Sequence, residues 1–302
     1  MKIWLPHDSQ YYSLEKFANE IEIVNATTGI PDDLSDVEFI VPPMFELQNE
    51  FRVLFPKLPS LKVIHSLSAG IEDLRNLVPK GVTLCNATDA HHTSTAEMAV
   101  TLILASLRGI DEFARKYDWK VRTEKIWQSL ADKKVLIVGY GSVGQALERR
   151  LSGFECEVFR VARHAREGVH SMEKLPILLP LSDVVVITVP HTPETEKLAD
   201  AKFFSLMRNG SLLVNVSRGA TVNTEDLVAA LRNGHINAAL DVTDPEPLPD
   251  GHPLLSLGNV LITPHVAGRS TALEPRLTRL IKEQVERYMT GQPLKNIITG
   301  DY

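Results

Sequence analysis

Arg218, Glu246 and His265 each stand just beyond an apolar, strand-like run, in the segments NVSRG at 215–219, DVTDPEP at 241–247 and TPHVAG at 263–268. Each supplies one chemically apt side chain. Arginine grips an anion such as a carboxylate through a planar fork. Histidine exchanges a proton near neutral pH, and an adjacent carboxylate favours its protonated form and fixes its orientation. Each residue also has an ordinary alternative: a surface ion pair for Arg218, a solvated loop acid for Glu246 and a satisfied structural ring for His265. What separates the two readings is the motif that precedes them.

That motif is an apolar strand, KVLIV at 134–138, running straight into Gly139, Tyr140, Gly141, Ser142, Val143 and Gly144 and then into a helix. GxGxxG alone is weak and fits a plain strand-to-helix turn. In this context Gly139 allows the tight turn, Gly141 the approach of backbone to a pyrophosphate and Gly144 close helix packing, with the helix N-terminus facing the negative charge. The segment therefore reads as a dinucleotide site. About 20 residues further on, an NAD-binding chain offers an Asp or Glu to the ribose hydroxyls. Here the second strand leads into Ala162, Arg163, His164, Ala165 and Arg166, and the acid is missing. Arginine suits a phosphate, so NADP(H) is the expected cofactor, NADPH favoured and NAD possible, with Arg163 the leading contact and His164 or Arg166 assisting. The alternative is a solvated basic turn without specificity.

Side chains in such loops need a parallel sheet behind them, because open α/β sheets bind ligands at the carboxyl ends of their strands. From 133 to 262 the chain alternates accordingly, with strands at 135–138, 157–161, 184–189, 212–216, 236–240 and 260–262 and helices at 142–151 and 224–232. The first ninety residues read as a smaller α/β unit, with strands at 2–5, 22–26, 38–41, 62–67 and 82–86 and helices at 14–21 and 45–55. Pro56 and Pro59 stop the second of these helices. A long helix at 95–109 follows a loop holding Asp89, His91, His92, Thr93 and Ser94. No carboxylate spacing completes a metal site at its paired histidines, and none is expected. A tail helix at 273–289 lines up Leu273, Leu277, Leu280, Ile281, Val285 and Met289 and packs back on the first domain. The expected division is 1–90, completed by 269–302, against 91–268.

Composition agrees with this scheme. The chain has 302 residues, a length suited to two modest domains, and its 44% hydrophobic and 23% charged content argues against disorder or a coiled coil. A formal charge of -6 gives no basic field for nucleic acid. No apolar run reaches the roughly 18–20 residues of a membrane span. Cys85 and Cys156 are too few for a disulfide framework, and a cytoplasmic setting is expected.

Five stretches, VLIVGYGSVG, VPHTPETEKL, LLVNVSRGATVNTEDLVAAL, AALDVTDPEPLP and NVLITPHVAG, occur in the order and spacing of one family and span nearly all of 134–268. On them the chain resembles the D-isomer-specific 2-hydroxyacid dehydrogenases. The first domain matches more weakly, through HSLSAGIE at 65–72 and Thr95, Ala96 and Glu97. The resemblance implies an α/β protein of two doubly wound parallel-sheet domains, a Rossmann-type dinucleotide-binding domain and a smaller flavodoxin-like substrate domain.

The same resemblance implies roles. Arg218 would bind the carboxylate of a 2-oxo acid, His265 would be the acid and base, and Glu246 its partner. Backbone amides at Ser68, Ala69 and Gly70 would hold the substrate carboxylate, although an ordinary strand-to-helix turn would look the same. Val189 and Pro190 would lie against the adenosine with Thr195 nearby, Val216 beneath the nicotinamide, and Asp241 toward its carboxamide. Asp241 equally suits a helix cap or a buried hydrogen-bonding acid. Small 2-oxo and 2-hydroxy acids such as glyoxylate or hydroxypyruvate are the implied substrates, and a homodimer using the 95–109 helix and the loop before Lys133 is the implied assembly. Ala162 departs from the family's usual Asp, which puts NAD use in doubt. Two alternatives stay open: an NAD-linked relative with another substrate, and a dinucleotide-sensing binding protein like the corepressors that share this fold. The side-chain pocket is expected around 42–45, 66–70 and Trp127.

Overall fold

A computed structural model of the chain describes residues 1–25, 30, 33–43, 53–115 and 126–299. Met44, Phe45 and most of the helix expected at 45–55 lie outside the described residues. Within them the chain forms two units, one of Met1–His91 with the segment from Thr271 onward, the other of His92–Ser270.

Short aliphatic runs in the first unit make five parallel strands: β1 (Lys2–Leu5), β2 (Glu22–Asn25), β3 (Val37–Ile40), β4 (Val63–His65) and β5 (Thr83–Cys85). Their order, β2-β1-β3-β4-β5, is the flavodoxin-like one. Alternate residues supply the two faces. Ile3, Leu5, Phe39 and Val63 pack with Ile281 and Val285, and Trp4, Ile40, Ile64 and Leu84 pack with Phe55 and Ile71. Residues 14–21, expected as a helix, form only a 3-10 turn at Glu15–Phe17. Leu14 offers no capping group, and so short a segment does not offset the cost of nucleating a helix. Burial of Tyr12, Leu14, Phe17 and Ile21 sets its path instead.

Seven parallel strands build the second unit: β6 (Lys134–Val138), β7 (Glu157–Ala162), β8 (His170–Ser171), β9 (Val184–Ile187), β10 (Ser211–Asn215), β11 (Ile236–Leu240) and β12 (Val260–Ile262). They are ordered β12-β11-β10-β9-β6-β7-β8, so the connections reverse direction at β6, between β7 and β9. Such a reversal opens a crevice at the carboxyl end of the sheet. Both faces are buried, Val135 and Ile137 in one layer and Leu136 and Val138 in the other. This is why the strands read as unbroken apolar runs.

Helices packed against these sheets include α1 (Thr88–Arg108), α2 (Ser142–Leu151), α3 (Ala201–Leu206), α4 (Thr224–Arg232) and α5 (Leu273–Met289). Asp200 and Asn223 cap α3 and α4 by accepting the amides of Phe203 and Asp226. α1 begins well before the expected start at Thr95, so His91, His92 and the Thr93–Ser94 pair lie within helix rather than loop. Asn86 Oδ1 accepts the Thr88 amide at 3.3 Å, supplying the start signal, while buried Ser94 shares a 2.6 Å hydrogen bond with Ser270. His91 Nε2 lies 2.8 Å from the Leu67 carbonyl. No described helix is long and apolar enough to cross a membrane.

Candidate active site

The loops that follow β10, β11 and β12 are neighbours because their strands are paired, with Asn215 opposite Leu240 and Leu240 opposite Ile262. They carry Arg218, Glu246 and His265. His265 Nδ1 and Glu246 Oε1 are 2.5 Å apart, with 47% and 41% of the two side chains exposed. Nδ1 thus faces the carboxylate, and Nε2 is the nitrogen left for a substrate.

Asp241 explains how His265 is presented. Its carboxylate is buried and accepts hydrogen bonds from Thr263 Oγ1 (2.6 Å), the Val266 amide (3.0 Å) and the Ala267 amide (2.9 Å), while its carbonyl accepts the His265 amide at 2.8 Å. These bonds bracket His265, whose φ of +53° is in the left-handed region that a residue with a Cβ rarely occupies. Of the roles open to Asp241 in the sequence, the geometry matches the buried hydrogen-bonding acid. Its oxygens are directed to the loop that carries His265.

Arg218 is half-buried and donates from Nη1 to the Ser217 carbonyl at 2.7 Å. Its loop is held by Asn215, a fully buried polar residue at the end of an apolar strand. Asn215 Oδ1 accepts the Ser217 amide (3.0 Å) and hydroxyl (2.9 Å), and Nδ2 donates to the Arg218 carbonyl (3.0 Å). Gly219 lets this loop meet the Glu246 loop, since a Cβ there would fall 1.9 Å from the Thr243 carbonyl oxygen. Thr224 fastens the same seam by donating to the Asp244 carbonyl at 2.5 Å.

A dinucleotide fits the turn between β6 and α2. Gly139 has φ +107°, and a Cβ there would lie 2.6 Å from the Thr188 carbonyl carbon. A Cβ on Gly144 would come 2.4 Å from the Gly139 oxygen, whereas one on Gly141 would meet open space. The backbone is thus closed on the protein side and open on the ligand side. Gly141 precedes α2 without any side-chain cap, which leaves the first helical amides, including those of Ser142 and Val143, suited to an anion. Two guanidinium groups approach Tyr140, those of Arg160 and Arg166, 5.9 and 5.6 Å from its ring centre. Its hydroxyl donates to Glu148, which also takes Arg160 Nε at 2.7 Å. Arg160 holds the Glu148 carboxyl below the usual carboxylate range, aided by Tyr140, while burial and Glu148 push the Tyr140 hydroxyl up.

The basic residues after β7 are not equivalent. Arg166 donates from Nη2 to the Tyr140 carbonyl at 2.6 Å, which docks it beside the glycine turn. Arg163 faces Glu194 across 3.7 Å, and His164 is exposed. Val189 and Val216 are buried at strand ends, while Pro190 is exposed. The Thr195 hydroxyl is spent inside its own loop, donating to the Pro190 carbonyl at 2.6 Å and accepting the Thr192 amide at 2.8 Å.

Ser68, Ala69 and Gly70 belong to the other unit and follow β4. The Ser68 amide donates to Ser66 Oγ at 3.1 Å, and the Ser68 and Ala69 carbonyls accept from the Ala87 amide and Asn86 Nδ2. Trp127 is a correction to the expected pocket. It lines a cavity with Gly210, Asn237 and Gly258, at the amino ends of β10–β12 and so at the opposite end of that sheet from His265. Sequence reasoning missed Asn215, Glu148 and Glu194. A lone Asn closing the run LLVN was the visible signal for the first.

The comparisons with known proteins agree. The family described as D-isomer specific 2-hydroxyacid dehydrogenase, NAD binding domain, matches residues 100–267. A glyoxylate reductase/hydroxypyruvate reductase of Homo sapiens is 33% identical over 261 residues, covering 80% of this chain and 78% of that protein. A glyoxylate reductase of Thermococcus onnurineus is 31% identical over 301 residues, covering 94% and 88%. Among solved structures, an NADPH-dependent glyoxylate/hydroxypyruvate reductase from Sinorhizobium meliloti, in complex with NADP and malonate, has a TM-score of 0.76 at 27% identity, covering 99% of this chain and 96% of that one. A parallel sheet reversing at a glycine turn, a histidine held against a carboxylate and a match over more than half the chain together mean that the protein belongs to the D-isomer specific 2-hydroxyacid dehydrogenases.

Proposed function

We propose that the protein reduces small 2-oxo acids to D-2-hydroxy acids with NADPH as the favoured reductant, glyoxylate and hydroxypyruvate being the first substrates to try. The observation that carries this reading is the 2.5 Å pairing of His265 Nδ1 with Glu246, which leaves Nε2 to serve the substrate. When bound, the dinucleotide supplies hydride chemistry. His265 Nε2 gives a proton to the substrate's carbonyl oxygen in reduction and accepts it in the reverse direction. Glu246 keeps the ring oriented through Nδ1. Arg218 holds the carboxylate and draws electron density from the adjacent carbonyl. The amides at 141–143 and the α2 N-terminus hold the pyrophosphate.

NADPH preference rests on Ala162 at the end of β7, where an acid would repel a 2′-phosphate, and on the arginines at 163 and 166. Substrate choice rests on the names of the relatives. Steady-state assays of a 2-oxo acid panel with both reductants test the reading. The expected result is turnover of glyoxylate or hydroxypyruvate with kcat/KM about 10-fold or more higher for NADPH, the scale of one charged phosphate contact. A preference for NADH overturns the cofactor assignment, and absence of turnover with dinucleotide binding retained overturns the enzyme in favour of a binding protein.

A homodimer belongs to the same reading. Past the end of α1, Ile126 is 97% exposed and Ile110 55% exposed, beside an edge-on Phe113–Trp127 pair at 5.2 Å. An apolar patch of this kind marks an interaction surface.

A further inference from the structure

We propose that Glu194 competes with the cofactor for Arg163, weakening the grip on a 2′-phosphorylated ribose and thereby setting how strongly NADPH is preferred over NADH. The inference rests on the NADP(H) reading above and adds to it a residue that opposes the preference. Arg163 follows β7 and Glu194 follows β9, the two strands that flank β6 in the sheet. An ion pair between them therefore spans the carboxyl end of β6, over the turn where residues 139–144 lead into α2. That is the crevice in which the adenosine half of a dinucleotide lies in a sheet of this order.

The two side chains touch without being locked. Arg163 Nη2 and Glu194 Oε1 are 3.7 Å apart, and 59% and 58% of the side chains are exposed, so an incoming anion has access to the guanidinium. Glu194 is the fixed member. Thr192, itself buried, donates its hydroxyl to Glu194 Oε2 at 2.8 Å, and Thr195 closes the same turn through the Thr192 amide and the Pro190 carbonyl. The Thr192 hydrogen bond, with Arg163 adding, holds the Glu194 carboxyl below the usual range, so it is charged at neutral pH. Arg160 and Arg166 donate to Glu148 and to the Tyr140 carbonyl. The state of Arg163 therefore weighs heavily in this corner.

The consequence is selective. A 2′-phosphate carries close to two negative charges at neutral pH, and binding it next to Glu194 costs repulsion and the loss of the Arg163 pair. A 2′-hydroxyl carries no charge and meets neither penalty. At an exposed site the effect is screened, which places it at about 3- to 10-fold in affinity.

Titration calorimetry with adenosine 2′,5′-bisphosphate, and with 5′-AMP as the uncharged-ribose control, reads this without turnover. Glu194→Gln is expected to tighten the bisphosphate about 3- to 10-fold and to change 5′-AMP less than about twofold. In an Arg163→Gln background the same substitution should gain clearly less, since only the direct repulsion is then relieved. No gain in Glu194→Gln, an equal gain for both nucleotides, a loss of 5′-AMP affinity or a full gain without Arg163 each overturns the competition. Failure of the NADP(H) reading shows elsewhere, in unsubstituted protein that binds the bisphosphate no tighter than 5′-AMP and turns over NADH in preference.

Discussion

Glu246 and His265 are both more than two-fifths exposed, and an ion pair so open to water adds little to stability. Yet His265 is held at a positive φ, a backbone conformation that costs about 1–3 kcal/mol. Strain kept in place by four Asp241 hydrogen bonds, at a pair that stabilises little, is best explained by the position of the ring. Glu246→Gln keeps an acceptor for Nδ1–H and removes the charge. Its expected effect is a fall in kcat of about 10- to 100-fold with the KM for the reductant unchanged within about twofold. Steady-state kinetics checks it, and near-normal turnover would give Glu246 a merely structural place. At this scale Arg218, Glu246 and His265 were legible because each follows an apolar run at family spacing. Glu194 was not, because its contact with Arg163 exists only when β9 and β7 come to lie on either side of β6.

Strands buried on both faces announce themselves as continuous apolar runs, and β6, β10, β11 and β12 fall within a residue of the positions read from sequence. α2, α4 and α5 match the sequence reading residue for residue, since glycine, Asn223 and Gly291 punctuate them. Segment 14–21 was misread because tertiary burial there outweighs local propensity, and the start of α1 because Asn86, whose side chain takes the Thr88 amide, was read as the end of a strand. β4 shows what an apolar run conceals. It ends in His65, fully buried, with neither ring nitrogen hydrogen-bonded among the described residues. Burial pulls its pKa down to about 4. The unfolded chain binds this proton at a higher pH than the folded one, so the neutral ring is tolerated above the ordinary histidine range. Stability is then lost as pH falls from about 6.5 toward 4. Between pH 7 and pH 5 the loss should be about 2 kcal/mol, and His65→Leu should abolish it. Urea unfolding of both proteins at the two pH values checks this, and equal pH dependence would remove His65 as the cause.

For the molecule as a whole, net charge was a poor guide. At -6 the chain nevertheless has the groups proposed to bind anions at the glycine turn, at Arg163 and Arg166 and at Arg218, where local amides and guanidinium groups run against the overall sign. Association is the other property of this scale. Sedimentation equilibrium should show a dimer, and Ile126→Asp should raise its dissociation constant about 10-fold or more by placing an unpaired charge in the interface. A monomer at micromolar concentration would refute the homodimer.

The first unit is assembled from both sides of the second. Ile3, Leu5 and Phe39 are covered by Ile281 and Val285 of α5, which the ribosome adds only after every strand of the other sheet has been made. During synthesis the dinucleotide-binding unit therefore possesses its whole sequence while β1 and β3 still expose one face. The earliest strands to emerge are the last to be buried, and for that interval they are the part of the chain that a chaperone would have reason to hold.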